Sequence, residues 1–270
     1  MFFIFFYKLY IFVRLNRILM ITPSLDQRES MRKRPKASSP VMSQTWDDLL
    51  FVHWEVDAQD LQKTLPSGLY VDTFGGKAYL GLVPFFMRKI RPSWFPSIPY
   101  VSNFLECNVR TYVHDEEGNP GVWFYSLDTN RWLAYKIGRM AFSLPYFWAK
   151  MKAKKNSDGE ISYNLKRRFC GAEDISFNYS CTNIGQEAVR GTLDFFLLER
   201  YLLFASRKYE KELLSCRVYH QPYIFSKINE KKWPIAPFQW NGFEFKVGEL
   251  AHVCTASRVN VEIFKPEYIK

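Results

Sequence analysis

The residues most able to do chemistry lie in one alternating run, Ser102–Val113. Glu106, Asn108, Arg110 and Tyr112 fall on one side of an extended strand, behind Phe104. Leu105, Cys107, Val109, Thr111 and Val113 fall on the other, because strand side chains have period two. An acid, an amide, a guanidinium and a phenol in a row suit two roles. On an outer face they are an ordinary solvated, ion-paired surface. Inside a cavity Arg110 would hold a carboxylate, with Asn108 and Tyr112 beside it, and Glu106 would do acid–base work. A second group is Gly138-Arg139 with Pro145-Tyr146, where Arg139 on an otherwise apolar helix needs a partner and Glu106 is a candidate. A third is Glu199-Arg200-Tyr201 with His220, which reads equally as a buried structural network.

Other chemistries find little support. No Gly-x-Gly-x-x-Gly, phosphate loop, Gly-x-Ser-x-Gly or His-Glu-x-x-His occurs. His53, His114, His220 and His252 are scattered without metal-ligand spacing, so no metal or cofactor is predicted. His114 sits in an acidic turn and reads as exposed. His53 and His252 read as structural. Cys107, Cys170, Cys181, Cys216 and Cys254 form no Cys-x-x-Cys pair and are odd in number, which fits free thiols in a reducing cytoplasm.

The elements that must position these residues are mostly strands. The 270 residues are 47% apolar and 18% aromatic, ample for a large core. Strands read at 49–56, 69–74, 77–87, 102–113, 122–127, 160–169, 174–182, 213–220, 243–247 and 251–264. Gly75-Gly76 marks a hairpin, Gly81 a close backbone approach, and Pro84 an interrupted ladder. Short helices read after Asp57, over 131–142 behind an Asp128–Asn130 cap, and at 194–199. Residues 146–151 read as a turn or helix. The long loop Arg88–Tyr100, with Trp94, Phe95 and Ile98, suits a lid or wall. The fold class is α+β: one domain over 42–270, with a large antiparallel sheet able to curl into a barrel.

The net charge of +10 is concentrated near the start. Residues 1–42 hold eight basic and two acidic residues, leaving no dense basic face elsewhere, so nucleic acid is not an expected partner. Residues 1–21 are apolar but interrupted by Lys8, Arg14 and Arg17, a poor membrane span and a poor secretory signal. They could attach the chain to a membrane. Met20, Met31 and Met42 offer later starts that would omit some or all of 1–41. Residues 22–41, polar with three prolines, read as a disordered lead-in.

A set of motifs then resembles a known family. Met42–Trp54, Leu82–Phe85, Asn108–Val113, Gly121–Phe124, Leu144–Phe147, Leu198–Tyr201 and Val218–Pro222 resemble, in order, segments of the bacterial YqjF-like family, a domain of unknown function. That family is similar in fold to acetoacetate decarboxylase. The resemblance implies a curved antiparallel sheet closed into a cone-like barrel around a cavity. The decarboxylase motif Gly-Arg-Glu-x-Trp-Gly-Tyr-Pro-Lys-Lys aligns without a gap on residues 138–147. Gly138, Arg139 and Pro145 match; Met140 replaces the glutamate, and Tyr146 and Phe147 replace the two lysines. The decarboxylase needs a lysine Schiff base, made nucleophilic by a neighbouring cation. Neither replacement can form one. The resemblance therefore implies the fold and a cavity, with another cavity glutamate at Glu106, but not decarboxylation. The sequence leaves two readings. One is a binder of a small carboxylate- or carbonyl-bearing molecule, with Tyr146 as electrophilic donor if a reaction occurs. The other is a structural or interaction protein whose Glu/Arg network only holds the sheet closed.

Overall fold

The computed structural model describes residues 21–36, 38–98, 101–169, 171–182, 184–207, 212–230, 232–243 and 247–269. The apolar stretch 1–20, Cys170 and most of the strand expected at 243–247 lie outside them.

The sheet is built around one long meander. Strand β4 (Ala78–Pro92) turns back as β5 (Phe104–His114), which turns again as β6 (Pro120–Thr129). All three are antiparallel neighbours. Strand β1 (Met42–Asp47) extends β4 on its other edge, followed by β14 (Val259–Ile263), β11 (Glu212–His220) and β10 (Leu202–Arg207). The last of these returns to β6 in parallel, through Leu203↔Val122 and Phe204↔Trp123. Among the described residues, seven strands thus close on themselves as a ring, the curved closed sheet that the sequence implies.

Two wings branch from this ring. One runs from the first half of β4 to β2 (Leu49–Val56), β13 (Leu250–Ala256) and β12 (Phe225–Lys227). The other runs from the end of β6 to β7 (Tyr146–Lys155), β8 (Glu160–Arg167) and β9 (Ile175–Ser180). The short pairs β3 (Tyr70–Val71) and β15 (Glu267–Tyr268) complete it. The wings pack together over the outside of the ring, with Val52, Leu82, Cys107, Val109, Ile161 and Tyr163 in one core. Strand β5 is therefore buried on both faces, one against this core and one inside the ring.

Several local expectations are corrected. Pro84 interrupts the ladder on one edge only, since β4 runs through it and still pairs it with Cys107 on the other. On the interrupted edge the partner changes there from β2 to β1, so the missing N–H falls where no ladder bond is needed. Residues 146–151 form strand β7, not a helix, with Ala149 and Met151 alternating into the core. Helix α3 (Trp132–Ala141) has Arg131 as N-cap without a side-chain bond. The expected capping residues are used elsewhere: Asn130 Oδ1 accepts from the Leu105 N–H at 2.9 Å, and Asp128 pairs with Arg167. His114 is buried and stacked on Tyr70.

Residues 22–41 are not simply a lead-in. They contain α1 (Leu25–Met31), opened by a Ser24/Gln27 capping box. Helix α1 is pinned by Arg28, which is buried and forms a two-pronged bridge to Asp72, both bonds 2.7 Å. The other helices, α2 (Ala58–Gln62), α4 (Leu193–Leu198) and α5 (Ala236–Gln239), are short. Asp57 caps α2 as the sequence predicts. Among the described residues no helix is long and apolar enough to cross a membrane.

Candidate functional site

Inside the ring lies a cavity of about 280 Å³. The period-two rule delivers Phe104, Glu106, Asn108 and Arg110 of β5 to its wall, while Leu105, Cys107 and Val109 face the outer core. From α3 and β7 come Gly138 and Tyr146, and from the end of α4 comes Arg200. Most of the remaining wall is aliphatic or aromatic.

Glu106 is the most perturbed acid of the cavity. It is buried, and Tyr146 Oη donates to its Oε2 at 2.8 Å. Burial lifts its pKa from the usual 4.5 to about 7, opposed by hydrogen bonds from Tyr146 and Asn108 and aided by the charge of Asp128. The same pairing and burial push the Tyr146 phenol well above its ordinary range. The contact depends on Gly138. A Cβ there would collide with the Tyr146 ring, so the glycine lets that ring lie against α3.

Two guanidiniums share the ring of Tyr112, with Arg110 Cζ 5.5 Å and Arg200 Cζ 5.0 Å from its centroid. Arg200 bonds Asp72 at 2.6 Å and the Phe196 carbonyl at 2.7 Å. Asp72 also serves Arg28, so one carboxylate answers two cations. Arg110 bonds only neutral groups, the Tyr112 hydroxyl at 3.2 Å and the Leu197 carbonyl at 3.4 Å. No described acid lies within ion-pair distance of it. The site therefore carries a buried excess of positive charge, which is costly unless an anion offsets it.

Five cavity residues also present a buried polar atom with no hydrogen-bond partner in the protein. They are Gln44 Oε1, Trp46 Nε1, Asn108 Oδ1, Arg110 Nε and Arg200 Nη2. Native proteins leave few such atoms, and these five belong to residues that line one cavity.

Behind Arg110 runs a hydrogen-bonded chain. Tyr112 Oη meets His53 Nε2 at 2.6 Å, His53 Nδ1 meets His252 Nδ1 at 3.0 Å, and His252 Nε2 meets Asp194 Oδ1 at 2.9 Å. With both imidazoles neutral, only one direction satisfies every group. The Asp194 carboxylate can only accept, so His252 donates from Nε2 and accepts at Nδ1. His53 then donates from Nδ1 and accepts the Tyr112 proton at Nε2. Burial, with His252 and Arg110 nearby, pushes the His53 pKa well down. Gly81, whose added Cβ would lie 3.1 Å from the His53 ring, makes room for side chains of His53 and Arg110 and not for the backbone the sequence suggests.

The sequence-selected residues thus separate into groups. Glu106, Asn108, Arg110, Arg200 and Tyr146 meet at the cavity. Tyr112 stands behind it as support and does not line it. Arg139 is exposed, not inside; it donates to the Tyr146 carbonyl at 3.4 Å and does not pair with Glu106. Glu199 does not pair with Arg200. Its carboxylate faces the Tyr201 hydroxyl and Arg32, with His220 stacked on Tyr201 in a separate buried cluster. Gln44, Trp46 and the partners of Tyr112 escaped the sequence reading. His53, one of two polar residues with Glu55 in the apolar strand Leu49–Val56, was their one visible trace. Among the described residues no three His, Cys, Asp or Glu side chains gather as a metal site.

The closed ring with outer wings is the acetoacetate decarboxylase-like fold. The enduracididine biosynthesis enzyme MppR in its pyruvate complex superposes over 87% of this chain and 92% of its own, with a TM-score of 0.59 and 11% identity. Acetoacetate decarboxylase from Legionella pneumophila superposes over 93% and 96%, with a TM-score of 0.57 and 13% identity. Within that fold the chain belongs to the family DUF2071, described as an uncharacterized conserved protein, whose model matches residues 43–260. It is 38% identical to the uncharacterized protein YqjF of Bacillus subtilis over 184 residues, 68% of this chain and 74% of YqjF.

Proposed function

We propose that the ring cavity binds a small organic anion bearing a carboxylate and a second oxygen. Arg110 and Arg200 take the carboxylate. The Glu106–Tyr146 pair meets the second oxygen, where Tyr146 donates and Glu106, poised near neutrality, holds or releases a proton. The observation that carries this reading is Arg110: a buried guanidinium with no acid in reach, on a cavity wall with four other unpartnered polar atoms. A network serving stability alone would leave no such surplus.

The fold relative MppR was solved with pyruvate, a molecule of this class. Schiff-base chemistry of the decarboxylase kind is not part of the proposal. Among the described residues no lysine lines the cavity, and the position matching the first motif lysine carries the Tyr146 phenol.

The test is calorimetric titration of a panel of 2-oxo and 3-oxo acids against wild type and Arg110→Met. Binding to wild type and a loss of roughly ten- to hundredfold in the variant are expected, the range for a charged hydrogen bond. Because Arg110 is buried unpaired, the variant is also expected to melt no earlier than wild type. A variant that melts much earlier, in a protein that binds no acid of the panel, points instead to the structural network.

A further inference from the structure

The polar atoms of the cavity are not spread evenly over its wall. Glu106, Asn108, Arg110 and Arg200 are all buried. The lining residues that reach solvent are, apart from Arg91 and the indole N–H of Trp46, apolar: Met42, Ile90, Ile137, Leu144 and Leu214 among them. Strand register places Met42 opposite Pro92 and Ile263, at the end of the ring where β4 leaves for the long loop and α3 lies across. The cavity is therefore an amphipathic slot, charged within and hydrocarbon-walled toward its mouth. Trp132, Leu133 and Met140 of α3 and Trp94 of the loop are exposed, Met140 and Trp94 by more than four-fifths.

A short oxo acid would satisfy the arginines but leave these walls uncovered. At roughly 30 Å³ for each water-sized group, the space of about 280 Å³ holds about nine non-hydrogen atoms. We infer that the ligand is a medium-chain acid of that class, its second oxygen at the Glu106–Tyr146 pair, its carboxylate on Arg110 and Arg200 and its hydrocarbon tail directed past Leu144 and Ile137 to the mouth. This deepens the organic-anion reading above and rests on it. The physical warrant is burial of apolar chain against apolar wall, which strengthens binding about fourfold for each methylene that fits. Beyond the mouth a further methylene stays in water and adds nothing.

The test is a titration of straight-chain carboxylates from acetate to dodecanoate, kept below their micelle-forming concentrations, against wild type, Arg110→Met and Ala205→Leu. Ala205 lines the outer part of the slot and is only half-buried, so a larger side chain narrows the space without an obligatory backbone shift. Affinity should climb about fourfold per carbon, level off near octanoate, and fall throughout the series in Arg110→Met. Ala205→Leu should weaken octanoate while sparing acetate and should move the plateau to shorter acids. If all lengths bind alike or acetate binds best, still through Arg110, the chain inference is overturned and the organic-anion reading stands. If long acids bind but Arg110→Met leaves them unaffected, the slot orientation is wrong. If no acid, including the oxo acids, binds, both readings fall.

Discussion

Glu106 makes the sharpest claim at the scale of one residue. Its folded pKa of about 7 exceeds the usual 4.5, so the folded state keeps a proton that the unfolded chain releases between those values. Below about 4.5 both states are protonated and the full contribution is present. As pH rises through 7 that contribution is lost, on the order of 3 kcal/mol. His220, pushed down to about 4 by burial, acts in the opposite sense, since its stabilising neutral form is lost on acidification. Urea titrations at pH 5 and pH 8 separate the two. Glu106→Gln should gain stability over wild type at pH 8 and little at pH 5, and equal behaviour at both pH values would refute the raised pKa. The relay behind Arg110 gives a second residue-level prediction. Nitrogen NMR should find His53 protonated on Nδ1 and His252 on Nε2. The wall positions of Glu106, Asn108 and Arg110 were legible because alternation in a strand is local. The choice between Arg110 and Arg139 was not. Both are arginines among apolar neighbours, and only the fold reveals that α3 turns Trp132, Leu133 and Met140 outward and Arg139 with them.

Two elements position the site in ways that substitutions can test. Helix α3 can lie against Tyr146 only because residue 138 has no side chain. Gly138→Ala should push the phenol off Glu106, lowering the carboxyl's affinity for its partner and weakening acid binding even though alanine favours helix. Tyr146→Phe should give the same loss of binding with a normal melting temperature, which distinguishes lost contact from general damage. Helix α1 bears on the site through Asp72, which Arg28 and Arg200 share. Arg28→Ala would leave Asp72 held by Arg200 alone, at a cost of about 2 kcal/mol in chemical denaturation. It should also loosen Arg200 and so weaken ligand binding. The element pattern was largely readable, since β-rich alternation, the Gly75-Gly76 hairpin and the short helix before Arg200 all follow local rules. Helix α1 was not, because its apolar contribution is slight and its anchor, Asp72, lies 44 residues away from Arg28. Strand β7 was missed because its start, Tyr146–Trp148, pairs in parallel with β6 across an intervening helix, a partnership no short window shows.

At the scale of the whole molecule, strand β5 belongs to two interiors at once, the outer core through Cys107 and Val109 and the ring cavity through Glu106 and Arg110. It is bonded along both edges and buried along its length. Amide exchange should therefore be slowest there, and slower than in β8 or β9 of the wing. The ring itself was implied by resemblance more than by periodicity, since closure depends on strands far apart in the chain. Its seam is the two-residue parallel contact between β6 and β10, where Gly121 lets the Leu202 carbonyl approach to 2.7 Å of where a Cβ would sit. That small seam bears on the order of events in folding. The β4–β5–β6 meander joins neighbours in sequence and can form early, whereas the seam must wait for some eighty further residues of chain, a loop whose closure is entropically expensive. Contacts made after the rate-limiting step govern how fast a protein comes apart, not how fast it assembles. Gly121→Ala should accordingly speed unfolding in stopped-flow experiments and leave the refolding rate nearly unchanged, so that the native lifetime of the whole ring is set at its narrowest join.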